Sequence, residues 1–297
     1  MAMAMANKRT RAQQLIKHLQ LVDKPIITLY DLSIIIFKLF YNQIETYEMT
    51  PKEFINKRIN ELIKYNYIYK NKYVKSNSIY NNYGHTPNNI YEIACCIDPF
   101  CYISHLSAMD FYGITDKNPE NLILTTLSLD KWKNYAENKM KRDLKDYYDL
   151  YEQHGLKKLS KITVDKIGKH NVREYRTKNY GRYKNIEDMN VRVATIGRVF
   201  LDMIHNQDLC GGIHHVIEVY KEYAKMYKKI ILKEIDNYGR KIDKIRAGFI
   251  LEEICGINDE MIEKWKGLVQ RGGSQKLNPS DSYSPNYSET WCISVNI

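Results

Sequence analysis

Near the start of the chain, apolar residues recur at the spacing of α-helices. Residues 11–21 carry a first apolar stripe, and a second, more continuous one begins after Thr28 and breaks near Asn42. Thr28 is of a type that caps helix starts, because its hydroxyl can accept a hydrogen bond from a free backbone N–H. The pattern predicts two helices here, the second of them largely buried.

A third helix has the clearest start signal. Thr50 can cap it, Pro51 suits its first position, and Glu53 lies three residues after the cap, as in a capping box. We predict a helix from Pro51 to about Lys64 whose apolar residues share one side. Amide and cationic side chains occupy the other side and its flanks: Lys52, Asn56, Lys57, Arg58, Asn60 and Lys64.

A hairpin is predicted after the third helix, because two short β-prone runs, Tyr67–Tyr69 and Tyr73–Val74, flank a polar turn. Three helices followed by a basic hairpin is the order of a winged helix-turn-helix domain, which we place at residues 7–82. The stretch from Ser76 to Asn89 lacks periodicity. We place the interdomain linker at its end, at residues 83–90.

Segments with strand and helix patterns alternate through the rest of the chain, which predicts a larger α+β domain at residues 91–297. Strands are predicted at 101–103, 122–126 and 291–295, and helices at 104–113, 195–205, 212–238 and 243–255. The expected fold class is therefore α+β, with an N-terminal winged helix-turn-helix domain followed by a larger α+β domain.

Positive charge is concentrated in the first domain. The formal net charge is +10, and residues 1–82 contribute +7 of it. Lysine and arginine contact phosphates, and asparagine can read adenine through a bidentate pair in the major groove. We therefore predict that the third helix enters the major groove of double-stranded DNA, with Lys57, Asn60 and Lys64 as principal contacts. The hairpin lysines are expected to contact the backbone or the minor groove: Lys70, Lys72 and Lys75.

Two patterns in the second domain suggest a metal or nucleotide site and are incomplete. Cys210 lies close to two histidines, but the paired glycines between them are more simply a helix break. The Arg271–Ser274 string resembles a phosphate loop or the start of a nucleotidyltransferase site. Only Asp281 and Glu289 follow it as carboxylates, so no Mg²⁺ pair is completed. We predict no metal and no cofactor.

A Ser104–His105 pair suggests a nucleophile and its base. Neighbouring positions on a helix do not face one another, so we predict Ser104 to be a helix cap and the protein not to be an enzyme. The six cysteines show no metal or disulfide spacing, which favours a reducing cytoplasm. No apolar run approaches the ~20 residues of a membrane span, so we expect no membrane partner.

Five strings in the second domain stand out by their order and spacing: Tyr102–Gly113, Arg198–Asp202, Asp208–Gly212, Ile245–Glu252 and Arg271–Ser274. Behind an N-terminal winged helix, they resemble the AbiEi antitoxins of bacterial abortive-infection, type IV toxin-antitoxin systems. The residues that carry the resemblance are Ser104, His105, Gly113, Arg198, Asp202, Asp208, Gly211, Gly212, Arg246, Glu252, Arg271, Gly272, Gly273 and Ser274.

This resemblance implies a phage-defence protein that represses its own operon by binding repeats in the promoter. It also implies that the C-terminal domain counteracts a nucleotidyltransferase-like toxin. Two alternatives stay open from the residues themselves. One is a nucleotidyltransferase or nuclease-associated enzyme that uses a winged helix to recruit its substrate. The other is an adaptor whose basic helix binds a protein in place of DNA.

Overall fold

The computed structural model describes residues 2–44, 48–272 and 275–297, and the chain is a mixed α and β protein, as predicted. Residues 2–82, here called the N-terminal unit, contain three helices and a three-stranded antiparallel sheet of order β1-β3-β2. Their bounds are α1 Ala2–Leu21, β1 Ile26–Thr28, α2 Leu29–Ile44, α3 Pro51–Lys64, β2 Ile68–Lys70 and β3 Ile79–Asn82.

Helix α3 begins and ends where the sequence predicts, because its start is determined locally. The backbone N–H of Glu53 donates to Thr50 Oγ1 at 3.3 Å, and that of Thr50 donates to Glu53 Oε2 at 2.9 Å. The reciprocal pair satisfies two donors that a helix start leaves free. Thr28 likewise caps α2, since Asp31 N donates to its hydroxyl at 3.2 Å.

The predicted hairpin is wrong in its second arm. Strand β2 pairs with β3, residues 79–82, and not with Tyr73–Val74. The physical reason is Asn71, whose side-chain oxygen accepts from the backbone N–H groups of Tyr73 and Val74, both at 2.8 Å. Those two backbone N–H groups therefore do not form hydrogen bonds with a neighbouring strand. The sequence pattern did not predict strand β1, which pairs with the other edge of β3.

The second half is built on a six-stranded mixed sheet of order β6-β7-β5-β4-β9-β8. Strands β5 and β7 run parallel over seven residue pairs, and β4 joins β5 antiparallel and β9 parallel. The bounds are α4 Ile90–Ile97, β4 Tyr102–Ile103, α5 His105–Phe111, β5 Asn121–Leu127, α6 Leu129–Leu144, α7 Tyr148–Gln153, β6 Lys166–Ile167, β7 His170–Thr177, β8 Tyr183–Asn185 and β9 Arg192–Ala194.

Helices and a final hairpin complete this half. They are α8 Ile196–His205, α9 Ile213–Tyr238, α10 Lys241–Phe249, α11 Glu260–Lys266, β10 Tyr287–Ser288 and β11 Ile293–Ser294. The helix predicted at 243–255 continues past α10 as a π-helical turn, Ile250–Ile254. Of the helices in the described part of the chain, none has the length and apolar character needed to cross a membrane.

Among the described residues, the two largest hydrophobic clusters each contain side chains from both halves of the chain. The larger lies on the six-stranded sheet and takes in α8, α9 and α10. The smaller joins α1, α2 and α3, and it also contains buried residues from α6 and the segment after it, among them Leu144, Tyr151 and Leu156. Phe37 of α2 lies edge-on to Tyr151, with ring centroids 5.2 Å apart. Side chains of the second half therefore help to cover the N-terminal unit.

Candidate nucleic-acid interface and a buried polar cluster

The outer face of α3 is polar and exposed. Phe54, Ile55, Ile59 and Leu62 are buried and point to the core of the N-terminal unit. The residues on the opposite side are exposed to solvent: Lys52, Asn56, Lys57, Asn60 and Lys64. Two amides and three ammonium groups on one helix face can bind bases and phosphates.

Arg58 does not share this face. It is only 6% exposed, its guanidinium lies 5.2 Å from the centre of the Phe54 ring, and Nη1 pairs with Glu61 Oε2 at 2.8 Å. Its guanidinium therefore lies against the apolar side of α3, and its charge is balanced within the helix. The expectation that Arg58 flanks the cationic face is corrected accordingly.

The lysines after α3 are exposed, although only Lys70 lies in a strand. Lys72 and Lys75 belong to the loop between β2 and β3, and the Lys72 ammonium lies 5.0 Å from the centre of the Tyr73 ring. This loop carries the remaining cationic residues of the predicted wing.

A neighbouring pair of lysines was missed in the sequence. A cavity of about 250 Å³ separates the first turns of α3 from the segment after α7, and Lys52, Asn56, Lys157 and Lys158 line it. Lys158 pairs with Glu152, while Lys157 is exposed. The cationic surface of α3 thus extends onto the second half of the chain. No local pattern marks this, because 100 residues of sequence separate the two segments.

In the second half, Ser104 and His105 form a buried hydrogen-bonded pair. His105 Nδ1 lies 2.9 Å from Ser104 Oγ, which also accepts from Thr125 Oγ1 at 2.8 Å. The expectation that the two side chains face apart is wrong, because Ser104 precedes the helix and His105 adopts a left-handed φ of 52°. Ser104 also makes no side-chain cap bond. Burial lowers the pKa of His105 and so favours the neutral ring.

Charged residues of α8 lie near this pair, since, besides burial, Asp202 and Arg198 both act on the pKa of His105. Arg198 Nε pairs with Asp202 Oδ1 at 2.8 Å, one helical turn apart, and Asp202 is 1% exposed. Glu234 of α9 is also buried, and Arg182 Nη1 lies 3.7 Å from its carboxylate. Burial raises the pKa of Glu234 in spite of that arginine. Two of the strings, those at Tyr102 and Arg198, therefore meet in one polar cluster.

Two other strings, Asp208–Gly212 and Ile245–Glu252, hold the C-terminal segment against the domain by hydrogen bonds. Asp208 accepts from Ser280 Oγ at 2.7 Å, Arg246 Nε donates to the carbonyl of Lys276 at 3.0 Å, and Glu252 accepts from Trp291 Nε1 at 2.9 Å. These contacts are structural. Arg271 and Gly272 are exposed, and the predicted residues Gly273 and Ser274 lie outside the described part of the chain.

Four glycines of the strings have a positive φ in the described part of the chain. The values are 64° at Gly113, 90° at Gly211, 88° at Gly212 and 79° at Gly272. At Gly211 a Cβ would also lie 2.8 Å from the His215 ring. Backbone geometry and close packing thus account for the glycine types here.

Cys210 and the histidines after it do not converge. Cys210 is fully buried, His214 is exposed, and His215 Nε2 lies 2.7 Å from Thr115 Oγ1. Within residues 2–44, 48–272 and 275–297, no group of three or more His, Cys, Asp or Glu side chains is placed to hold a metal ion.

Comparison with known proteins yields a structural neighbour. No family model matches the chain, and no curated protein matches it. The fold is similar to that in "Crystal structure of RV2827C protein from Mycobacterium tuberculosis", with a TM-score of 0.50 and 9% sequence identity. The likeness covers 96% of this chain and 90% of that one, so it concerns both halves together. At this identity it supports the fold alone.

Proposed function

We propose that this protein is a DNA-binding transcriptional repressor of its own operon and the antitoxin of a type IV toxin-antitoxin system. The observation that carries the DNA-binding half is the exposed face of α3, on which Asn56, Lys57, Asn60 and Lys64 lie together without apolar interruption. In this proposal the N-terminal unit is a winged helix, α3 is its recognition helix, and the loop after β2 is its wing.

The roles of the α3 residues follow from their chemistry. The lysines contact phosphates whatever the sequence, while Asn56 and Asn60 read base edges. Arg58 takes no part, since its charge pairs with Glu61. Lys157, beside the start of α3, adds a further phosphate contact from the second half.

The antitoxin half is supported by the resemblance of the five strings. Four of those strings make contacts within the second half, through the Ser104–His105 and Arg198–Asp202 pairs and through the hydrogen bonds to the C-terminal segment. Counteraction of a nucleotidyltransferase-like toxin is then a property of this half as a whole.

Fluorescence anisotropy of the full chain on DNA from upstream of its own gene, against scrambled DNA, tests the DNA-binding half. We expect Lys57→Ala to weaken binding equally on both DNAs and to lower the slope of log affinity against log salt by roughly 0.9. We expect Asn60→Ala to remove about 1–3 kcal/mol of the preference for native DNA.

Lys229→Ala and Asn138→Ala are matched controls, because both residues are exposed on helices of the second half. Equal loss on both DNAs for Asn60→Ala would contradict base reading. Salt-insensitive binding, or none, would favour the protein adaptor.

Co-expression with a nucleotidyltransferase-like toxin encoded beside this gene tests the antitoxin half. We expect the full chain to restore growth, and the Lys57→Ala, Asn60→Ala double variant to do so equally well when expressed from an unrelated promoter. Failure of the full chain to restore growth would contradict the proposed antitoxin role and would not affect the proposed DNA-binding role.

A further inference from the structure

A cleft lined by both polar and apolar side chains opens where the N-terminal unit meets the second half. Its volume is about 420 Å³, within the roughly 300–1,000 Å³ of small-molecule sites. The start of α2 forms one wall, α6 forms another, and the segments around β8 and β9 form the third. The end of α4, with Cys95 and Cys96, contributes to the lining. Neither the α3 face nor the Ser104–His105 cluster takes part in it.

Helix α6 presents a basic stripe to this cleft. Tyr135, Lys139 and Arg142 are spaced by four and three residues, so they share one helix face, and all three line the cavity. Lys139 pairs with Asp143 at 2.8 Å, whereas Arg142 is exposed and has no carboxylate within ion-pair distance among the described residues. Lys24 faces them from the N-terminal unit and is only loosely paired, 3.8 Å from Asp31.

Aromatic rings complete the lining. The Tyr183 ring stacks on Tyr102, with centroids 5.4 Å apart and an interplanar angle of 17°, and it remains 38% exposed. Tyr180 packs against Tyr183 at 5.5 Å and donates its hydroxyl to the carbonyl of Phe100, which holds that ring in place. Tyr135 on α6 is 45% exposed. The cleft therefore combines accessible ring faces with cations.

We infer that this cleft binds a nucleotide, with its base on Tyr183 and Tyr135 and its phosphate on Arg142, Lys139 and Lys24. An unpaired guanidinium is suited to bidentate phosphate binding, and tyrosine faces stack on any base. An apolar ligand would leave Arg142 without an ionic partner, and an inorganic anion would leave the rings unused. The same chemistry comes from a free nucleoside phosphate or from one nucleotide of a nucleic-acid chain.

Isothermal titration calorimetry of the full chain with AMP and GMP tests this inference, with adenosine and inorganic phosphate as probes of the two halves of the ligand. We expect a nucleoside monophosphate to bind more tightly than adenosine alone or inorganic phosphate alone. Arg142→Gln and Tyr183→Leu should each weaken its binding roughly tenfold.

Two substitutions serve as matched controls. Lys141→Gln removes a neighbouring charge from α6, and Tyr283→Leu removes a tyrosine that is 54% exposed and lies outside the cleft. We expect neither to change the affinity. Folding of each variant is checked by its thermal unfolding midpoint, so that loss of binding is separated from loss of structure.

The source of the nucleotide is decided by a short single-stranded oligonucleotide of mixed sequence in the same assay. Binding of the oligonucleotide alone, sensitive to Arg142→Gln and Tyr183→Leu, would support the cleft and assign it to nucleic acid. The inference is overturned if neither mononucleotide nor oligonucleotide binds, or if phosphate alone binds as tightly as AMP. It is also overturned if the cleft variants bind like the wild type. Operator binding through α3 is independent of each of these outcomes.

Discussion

Asp243 accepts four hydrogen bonds while it is fully buried. Three come from Arg240, from its backbone N at 3.0 Å, Nε at 2.9 Å and Nη2 at 3.0 Å, and one joins His205 Nδ1 at 3.2 Å. Burial by itself raises the pKa of Asp243, but these bonds outweigh it and hold that pKa well below the usual range of a carboxyl. The carboxylate thus links the end of α8 to the start of α10.

A carboxylate with a lowered pKa stabilises the fold above the pKa that it has in the unfolded chain, and this contribution is lost as the pH falls. We therefore expect Asp243→Asn to lower the free energy of unfolding by about 1–3 kcal/mol at pH 7. The difference from wild type should shrink below a pH of about 4. Urea unfolding at pH 7 and at a pH below about 4 measures this difference in the free energy of unfolding. The exposed Asp116→Asn is the control. A difference that does not change with pH would contradict the assignment.

Two side-chain arrangements differ from the sequence prediction, each for its own reason. His105 adopts a left-handed φ of 52°, which turns its ring onto Ser104. Helical geometry would have kept the two apart, and so the sequence interpretation failed there. Arg58 differs from the prediction for another reason: its guanidinium lies over the Phe54 ring and pairs with Glu61, so a cationic residue lies on the apolar side of α3.

Among the secondary-structure elements, α3 was predictable and the strand pairing around it was not. The capping box acts between residues three apart, so Thr50 and Glu53 define the start of α3 without help from the rest of the chain. Strand β2 has only three residues, and its partner begins at Ile79, beyond the loop that Asn71 organises. A three-residue strand is too short to show an alternating pattern. A long loop also leaves the pairing register undetermined by the local sequence.

Strands of the six-stranded sheet were equally hard to predict from the local sequence pattern. Strand β7, His170–Thr177, alternates between exposed and half-buried residues and contains only one aliphatic side chain, Val172. Its pairing with the buried strand β5 is what makes it a strand. Polar segments of this kind are stabilised by their neighbours and are not recognisable alone.

Helix α10 makes a close approach to the C-terminal segment at Gly248. A Cβ on Gly248 would lie 2.1 Å from the ring of Trp291, which is fully buried and donates its Nε1–H to Glu252. We expect Gly248→Ala to lower the free energy of unfolding by about 1–3 kcal/mol, because the ring has to move within a packed core.

Chemical denaturation followed by tryptophan fluorescence measures this change. Gly267→Ala is the matched control, because Gly267 has a φ of −64° and its Cβ would approach nothing nearer than the Lys264 carbonyl, at 3.3 Å. In a Trp291→Leu background the same Gly248→Ala change should cost less, since the clash is gone. An equal cost in both backgrounds would contradict the packing explanation.

For the molecule as a whole, the core of the N-terminal unit extends into the second half. Leu144 is fully buried in the same cluster as Phe37, whereas Leu129, at the other end of α6, is 49% exposed. The division into residues 7–82 and 91–297 stays a prediction about the chain. The shared core contains buried residues of α6 and α7, so these two helices stabilise the N-terminal unit as well as the second half.

We expect Leu144→Ala to lower the free energy of unfolding by about 2–5 kcal/mol and to speed amide hydrogen exchange in α2, because it opens a cavity in the hydrophobic cluster that contains Phe37. Leu129→Ala is the matched control and should leave both quantities unchanged. Urea unfolding and hydrogen exchange by mass spectrometry measure them. Unchanged exchange in α2 after Leu144→Ala would show that the N-terminal unit is stable without the second half.

Local patterns in the sequence were enough to predict the α+β class, the bounds of α3 and the exposure of most of its cationic and amide residues. These depend on contacts within a few residues, through capping and helical periodicity. The β2–β3 pairing and the Ser104–His105 contact became visible only in the folded chain. Folding also brought together the cleft, in which Lys24, Arg142 and Tyr183 line one cavity. These features join residues far apart in the chain or depend on unusual backbone angles, and local patterns carry no information about either.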